Sequence, residues 1–349
     1  MRRIFNVNLN KYSKRESNIE LFRLFIMLII VIYHLSMHSF GEIYPHSTFW
    51  DIVTNIFHIG VVCFILISGW FGINASIKGF VKLVTLCVFY SLLLYALAIL
   101  FKIESFTINS FIEHITPILH EKWWFITTYI VLYVISPYYN ILWCNLSNKE
   151  KYSLLVILGI IVFYLGWIGH SSTIFAGRDI VSFVFLYSIG RKLRETNLTY
   201  KYTKSFIVIL LFIIGGYIIG MYIPLVGKLT RMCSFQYCSP GLILLSVCFF
   251  MIFVNLRIKQ TPSINFLATS VFPIYLIHEN EFTYPYMQML VKIEYNPFIT
   301  FCVILILGIL IVLLCIIIDK LLNPIYSLIS RYVGKYTTII IEKLYARIF

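Results

Sequence analysis

The sequence predicts an all-α, polytopic membrane protein of about ten transmembrane helices, and three observations predict it. Of its 349 residues 60% are hydrophobic and only 12% are charged, against roughly 25% charged in soluble domains; mean hydropathy is +0.88. Apolar runs near the ~20 residues that cross a bilayer recur along the chain. Lysines and arginines gather in alternate connections between those runs.

The first expected span, 19–38, follows the basic segment MRRIFNVNLNKYSKRES. It is too long for a signal-peptide core, and no small-x-small cleavage site follows, so it reads as a retained helix. Spans 52–72 and 80–101 flank a short loop that holds Lys78 and Lys82. Span 123–142 opens on Trp123-Trp124-Phe125, which an interfacial aromatic belt explains. Spans 152–170, 204–223 and 239–256 are largely apolar, whereas 179–192 is short. Span 264–281 carries Pro273, His278, Glu279 and Glu281, and 297–319 completes the set. Pro137 and Pro273 fall inside spans, where each frees a backbone carbonyl that a neighbour must satisfy. The chain reads as one domain: a cytoplasmic segment 1–18, a bundle 19–319 and a basic tail 320–349. The tail could lie on the inner leaflet as a basic amphipathic helix or extend as a plain cytoplasmic tail.

With the N-terminus inside, cytoplasmic segments carry 21 lysines and arginines. Exterior segments carry six: Lys102, Lys122, Arg178, Lys228, Arg231 and Lys292. This asymmetry predicts a multi-pass protein of the cell membrane with both termini cytoplasmic. It also accounts for the net charge of +13 without invoking nucleic acid. The eight cysteines form no disulfide framework, because five lie within apolar runs. Cys233 and Cys238 fall near an exterior loop and could pair.

Arg23 and His34 lie eleven residues apart in the first span. Eleven residues are almost three turns, so both project from one face, His34 ~16 Å further along the axis. Glu20 and His38 share that face. An ionisable group inside a membrane span costs ~2.5–3.5 kcal/mol on insertion scales, so it usually faces a protein interior or polar cavity. His34 has the character of a general base, although a histidine bonded to a neighbouring helix remains open. Arg23 could clamp a phosphate or carboxylate, pair with Glu20, or do both.

Other polar positions say less alone. His38 could be a site residue or an interfacial one. Ser68-Gly69 suits close helix packing. Tyr275 and His278 lie near the exterior end of the ninth span, within reach of His34 from another helix. His58 reads as structural, and Arg178 with Asp179 could face a glycan or be solvated. No HExxH, GxSxG, P-loop or dinucleotide fingerprint occurs, which argues against a zinc protease, serine hydrolase or ATPase. What remains is acid/base chemistry in a membrane, or transport.

Asn18-Ile-Glu20-Leu-Phe-Arg23, ten residues and His34 resemble the first-helix signature of the acyltransferase 3 family of membrane acyltransferases. Val62 to Phe71 with Ser68-Gly69, Trp124-Phe125 through Tyr133 to Pro137, Tyr187 to Gly190, and Ser270 through Tyr275 to His278 resemble later family segments in the same order. The resemblance implies about ten membrane helices and transfer of an acyl group, commonly acetyl, from acyl-CoA to a hydroxyl. Acetyl-CoA is then a donor substrate, and no cofactor or metal is held permanently. The implied acceptor is a cell-surface polysaccharide or its lipid-linked precursor. Membrane lipids and polysaccharide-assembly proteins are the implied partners. It makes His34 the essential histidine, with Arg23 and Glu20 beside it. Arg23, Lys78 and Lys82 are expected at the donor site, and His38, Ser68, Trp124, Tyr275 and His278 as acceptor or supporting residues. The chain departs from the family in one place: Lys78 and Lys82 stand where many members have Arg-x-x-Arg. A saccharide transporter is the main alternative, although no paired, interrupted halves are visible.

Overall fold

A computed structural model describes residues 15–40, 48–196, 198, 200–223, 236–290 and 296–348. Among these residues every regular element is helical. In order the α-helices are α1 (Ser17–Phe40), α2 (Thr48–Phe57), α3 (Ile59–Phe71), α4 (Ile77–Leu100) and α5 (Ile108–Ile115). Next come α6 (Trp124–Asn145), α7 (Asn148–Ile161, continued by a π-helical turn to Ile168), α8 (Ile180–Glu195) and α9 (Thr203–Tyr222). The chain finishes with α10 (Pro240–Val254), α11 (Pro262–Leu267), α12 (Val271–His278), α13 (Tyr284–Leu290) and α14 (Pro297–Ile348).

Seven described stretches are long and apolar enough to cross a membrane, among them Ser17–Met37, Thr48–Phe71 and Trp124–Asn145. Three expected spans are shorter: α8, α10, and the α11–α12 segment, which a 3₁₀ turn at Ala268–Ser270 divides. Large apolar side chains stand exposed on the long helices, such as Phe212 on α9 and Leu310, Leu313 and Leu314 on α14. Lipid is the solvent that suits such faces. The fold is that of a polytopic integral membrane protein. The last helix also runs on past residue 319 without a break, through Pro324. The expected boundary between bundle and tail therefore falls inside one helix.

Hydrophobicity drives little helix association in lipid, so small residues and polar contacts must supply specificity. Gly69 on α3 meets Gly190 on α8, where a Cβ on either would overlap a backbone carbonyl, of Tyr187 or Leu66 respectively. Bulk there must force the two helices apart. Gly69→Val and Gly190→Val should each lower the melting temperature of the detergent-purified protein, by the equivalent of ~1–3 kcal/mol or more. Gly215→Val on α9 is the control, because among the described residues nothing beyond the local backbone of its own helix lies within 4 Å of its Cβ position. Unchanged melting in the first two would show that the close approach is not needed.

Polar clamps complete the packing. The Asn18 amide donates to the last carbonyls of α10, Phe253 and Val254, at 3.1 Å each. In the turn after α3, the Ile73 N–H donates to Tyr187 Oη (2.9 Å) and the Ile73 carbonyl accepts from Asn140 (3.1 Å). Tyr187 donates in turn to Asn140 Oδ1 at 2.8 Å. Pro137 removes the N–H that would reach the Tyr133 carbonyl, and Ser136 Oγ bonds that carbonyl instead at 2.8 Å.

Candidate functional site

The polar stripe expected on α1 borders a partly open cavity of about 480 Å³. Glu20, Arg23, Tyr33 and His34 line it from α1; Ser68 from α3; Trp124, Tyr129 and Tyr133 from α6; and Tyr275 from α12. Gly72, Ile73 and Asn74 line it near Arg23, in the turn held by Tyr187 and Asn140. Because Arg23 and His34 both line the cavity, it extends along three turns of α1. Its volume lies within the ordinary range for small-molecule sites.

At the Arg23 end, Arg23 Nη1 donates to Glu20 Oε2 at 3.0 Å and Oε1 at 3.4 Å. Glu20 is 7% exposed, so this cation stands beside its buried acid. The ion pair is therefore formed, and Arg23 also reaches the cavity wall. Ser68 and Tyr129 oxygens lie 3.4 Å apart on the same wall. Lys78 and Lys82 are exposed on the first turns of α4 and do not line the cavity; Leu83 does.

At the other end, His34 Nδ1 lies 2.7 Å from Glu279 Oε2 and 3.0 Å from His278 Nε2. His278 Nδ1 lies 2.6 Å from the Ile274 carbonyl, which can only accept, so that nitrogen carries its proton. In neutral His278 the Nε2 is then an acceptor. His34 Nδ1 must donate to it, with the Glu279 carboxylate in close contact beside the same nitrogen, which leaves His34 Nε2 as the basic nitrogen. Tyr284 donates to Glu279 Oε1 at 2.6 Å. The set can orient an imidazole and stabilise it when it takes a proton. The donor atoms of His34, His278 and Glu279 also lie within 4.8 Å of one another, close enough to share a metal ion.

Glu279 was not singled out by sequence, although its place beside His278 at the end of an apolar run was a usable signal. It lies just past the end of α12, and its neighbours fix the turn that carries it. Its backbone carbonyl accepts from the Trp123 indole, and Lys122 reaches Glu281 at 2.7 Å and Glu113 at 3.1 Å. The His114 imidazole bonds Glu281 at 3.2 Å.

Aromatic rings continue the cavity wall from His34. Tyr33 stacks on His58 at 5.0 Å, His58 meets Tyr237 at 4.0 Å, and Tyr237 meets Trp124 at 5.5 Å. His58, expected to be structural, sits between α2 and α3 and lines the cavity as well as packing. Tyr275 lines the same cavity, whereas His278 is buried behind it at 1% exposure. The His38 side chain and Cys233 lie outside the described residues, so the expected roles of His38 and of a Cys233–Cys238 bridge are not placed. Cys238 itself is buried.

A helical membrane bundle with a cavity joining an arginine–glutamate pair to a carboxylate-bound histidine defines an integral membrane protein equipped for acid/base chemistry. The chain matches the family described as an acyltransferase domain over residues 16–320, and it belongs to the acyltransferase 3 family. It is thus a membrane acyltransferase. No curated protein and no solved structure matches it significantly.

Proposed function

We propose that the protein is an O-acyltransferase that moves an acyl group, in the simplest case acetyl, from acyl-CoA to a hydroxyl of a surface polysaccharide or its lipid-linked precursor. The observation that carries this reading is one cavity lined by Arg23 at one end and by His34 at the other, with Glu279 in contact with His34. With the orientation that the basic residues favour, Arg23 lies toward the cytoplasm, where acyl-CoA is made. His34 lies toward the exterior, where the acceptor is. The thioester arm occupies the cavity while its phosphates stay near Arg23 and the Lys78–Lys82 turn. His34 Nε2 takes the acceptor proton as the hydroxyl oxygen attacks the thioester carbonyl. The tetrahedral intermediate collapses, and the departing thiolate receives that proton from His34.

Mass spectrometry of the surface glycan, with and without the gene, tests the reading. Loss of an acyl mass at unchanged glycan amount supports it; loss of exported glycan supports a transporter instead. Arg23→Lys keeps the charge but loses the planar fork. It should weaken coenzyme A binding, measured by calorimetry on purified protein, by about tenfold, the worth of one charge-assisted hydrogen bond. Lys78→Ala and Lys82→Ala should produce smaller losses, because exposed charges are screened. Unchanged binding in Arg23→Lys and in the double lysine variant would put the donor elsewhere. Because the His34–His278 pair beside the Glu279 carboxylate can work as a base without an ion, acyl transfer should persist in a strong chelator. Loss of transfer that zinc restores would make His34, His278 and Glu279 ligands instead.

A further inference from the structure

Arg178 stands exposed beside the cavity, off its lining, in a setting that the transfer mechanism does not use. Its guanidinium lies over the face of Trp124, 5.2 Å from the ring centroid, and Trp124 lines the cavity. Stacking holds the flat face of a guanidinium and leaves its edge N–H groups directed outward. None of the ion pairs among the described residues involves Arg178. The adjacent acid is committed elsewhere: Asp179 caps α8, accepting from Ser182 N at 2.9 Å and Ser182 Oγ at 2.8 Å. Lys122, another cation expected on this side of the membrane, is already paired with Glu113 and Glu281.

The backbone that presents Arg178 is pinned. Its carbonyl accepts from Thr128 Oγ1 at 3.1 Å, and its N–H donates to Phe175 O at 2.8 Å. Gly177 before it has φ +83°, and a Cβ there would crowd the backbone of Tyr237 and Cys238. The exposed side chain therefore springs from a pinned backbone, and its contacts with the Trp124 and Phe175 rings orient it. Ring contacts run from Trp124 through Tyr237, His58 and Tyr33 to His34. Aromatic faces suit the apolar faces of a sugar ring, and a fixed guanidinium suits a carboxylate or phosphate.

We infer that Arg178, stacked on Trp124, selects an anionic acceptor: a sugar bearing a carboxylate or a phosphate, seated on the aromatic wall with a hydroxyl at His34. The inference rests on the transferase reading for the meaning of acceptor, but its test is binding and does not require turnover. The probes are a glucuronate-terminated trisaccharide, its uncharged glucose counterpart, and that counterpart carrying a 6-phosphate. Each is titrated by calorimetry into the purified protein in neutral detergent. One charged probe should bind on the order of tenfold more tightly than the neutral one, the worth of one charge-assisted hydrogen bond. Which one does so separates an acidic sugar from a phosphorylated one. Arg178→Gln should close the gap, and Arg178→Lys should keep part of it. Melting curves of both variants control for lost folding.

The inference is overturned if neither charged probe binds better than the neutral one up to its solubility limit. It is also overturned if the gap survives in folded Arg178→Gln, or if added anionic lipid abolishes the gap, which would assign the arginine to headgroups. Acetyl transfer is followed in the same preparations. Charge-selective binding without transfer to any acceptor would count against the transferase reading and leave the anion site standing.

Discussion

His34→Ala should abolish acylation of the surface glycan while the protein still accumulates in the membrane. Removing a general base costs typically 10²–10⁴-fold in rate, enough to drop acyl substitution below detection. His34 is half-buried on a helix without internal glycine or proline, so truncation should leave α1 intact. His34→Asn is the sharper variant. It keeps a hydrogen-bonding group opposite Glu279 and His278 but offers no nitrogen that takes a proton near neutral pH. Both variants should bind coenzyme A like the parent, because Arg23 lies ~16 Å away along the helix. Near-normal acylation in either would remove His34 from the chemistry.

The second large effect is expected at Glu279, as a positioning residue. A carboxylate 2.7 Å from Nδ1 holds the proton on that nitrogen and keeps Nε2 available as the base. In Glu279→Gln that charge is lost, and an amide that turns its NH2 toward Nδ1 competes with the His278 acceptor and pulls His34 toward the tautomer with its proton on Nε2. Such a tautomer error costs ~10⁴-fold in the serine-protease triad; a loss of 10²-fold or more in kcat is expected here, with little change in KM for acyl-CoA. Glu279→Asp should recover part of the rate, since the charge remains one methylene further back. Tyr284→Phe removes only the bond to the far oxygen and should cost less than either. If Glu279→Gln raises KM and leaves kcat intact, the carboxylate serves binding instead of the histidine.

The two ends of the site differ in how far they could be read in advance. Glu20, Arg23 and His34 share one face because they share one helix, and helical periodicity is a local property of the chain. Ser68, Trp124 and Tyr275 were noted as motif members, and all three line the same cavity. Lys78 and Lys82, expected beside the donor, stand exposed on the first turns of α4 and off the cavity wall. Adjacency in sequence to a cavity-lining turn does not fix which way a side chain points.

By itself the sequence determined the membrane class, the all-helical fold and the α1 stripe, since these depend on composition and on contacts within a few residues. Tertiary structure decided what the stripe faces. His278 and Glu279 meet His34 from 244 and 245 residues away, and Gly69 meets Gly190 across α3 and α8. In lipid such meetings depend on packing shape and on polar partners. Those are set by how whole helices cross, which no local pattern encodes.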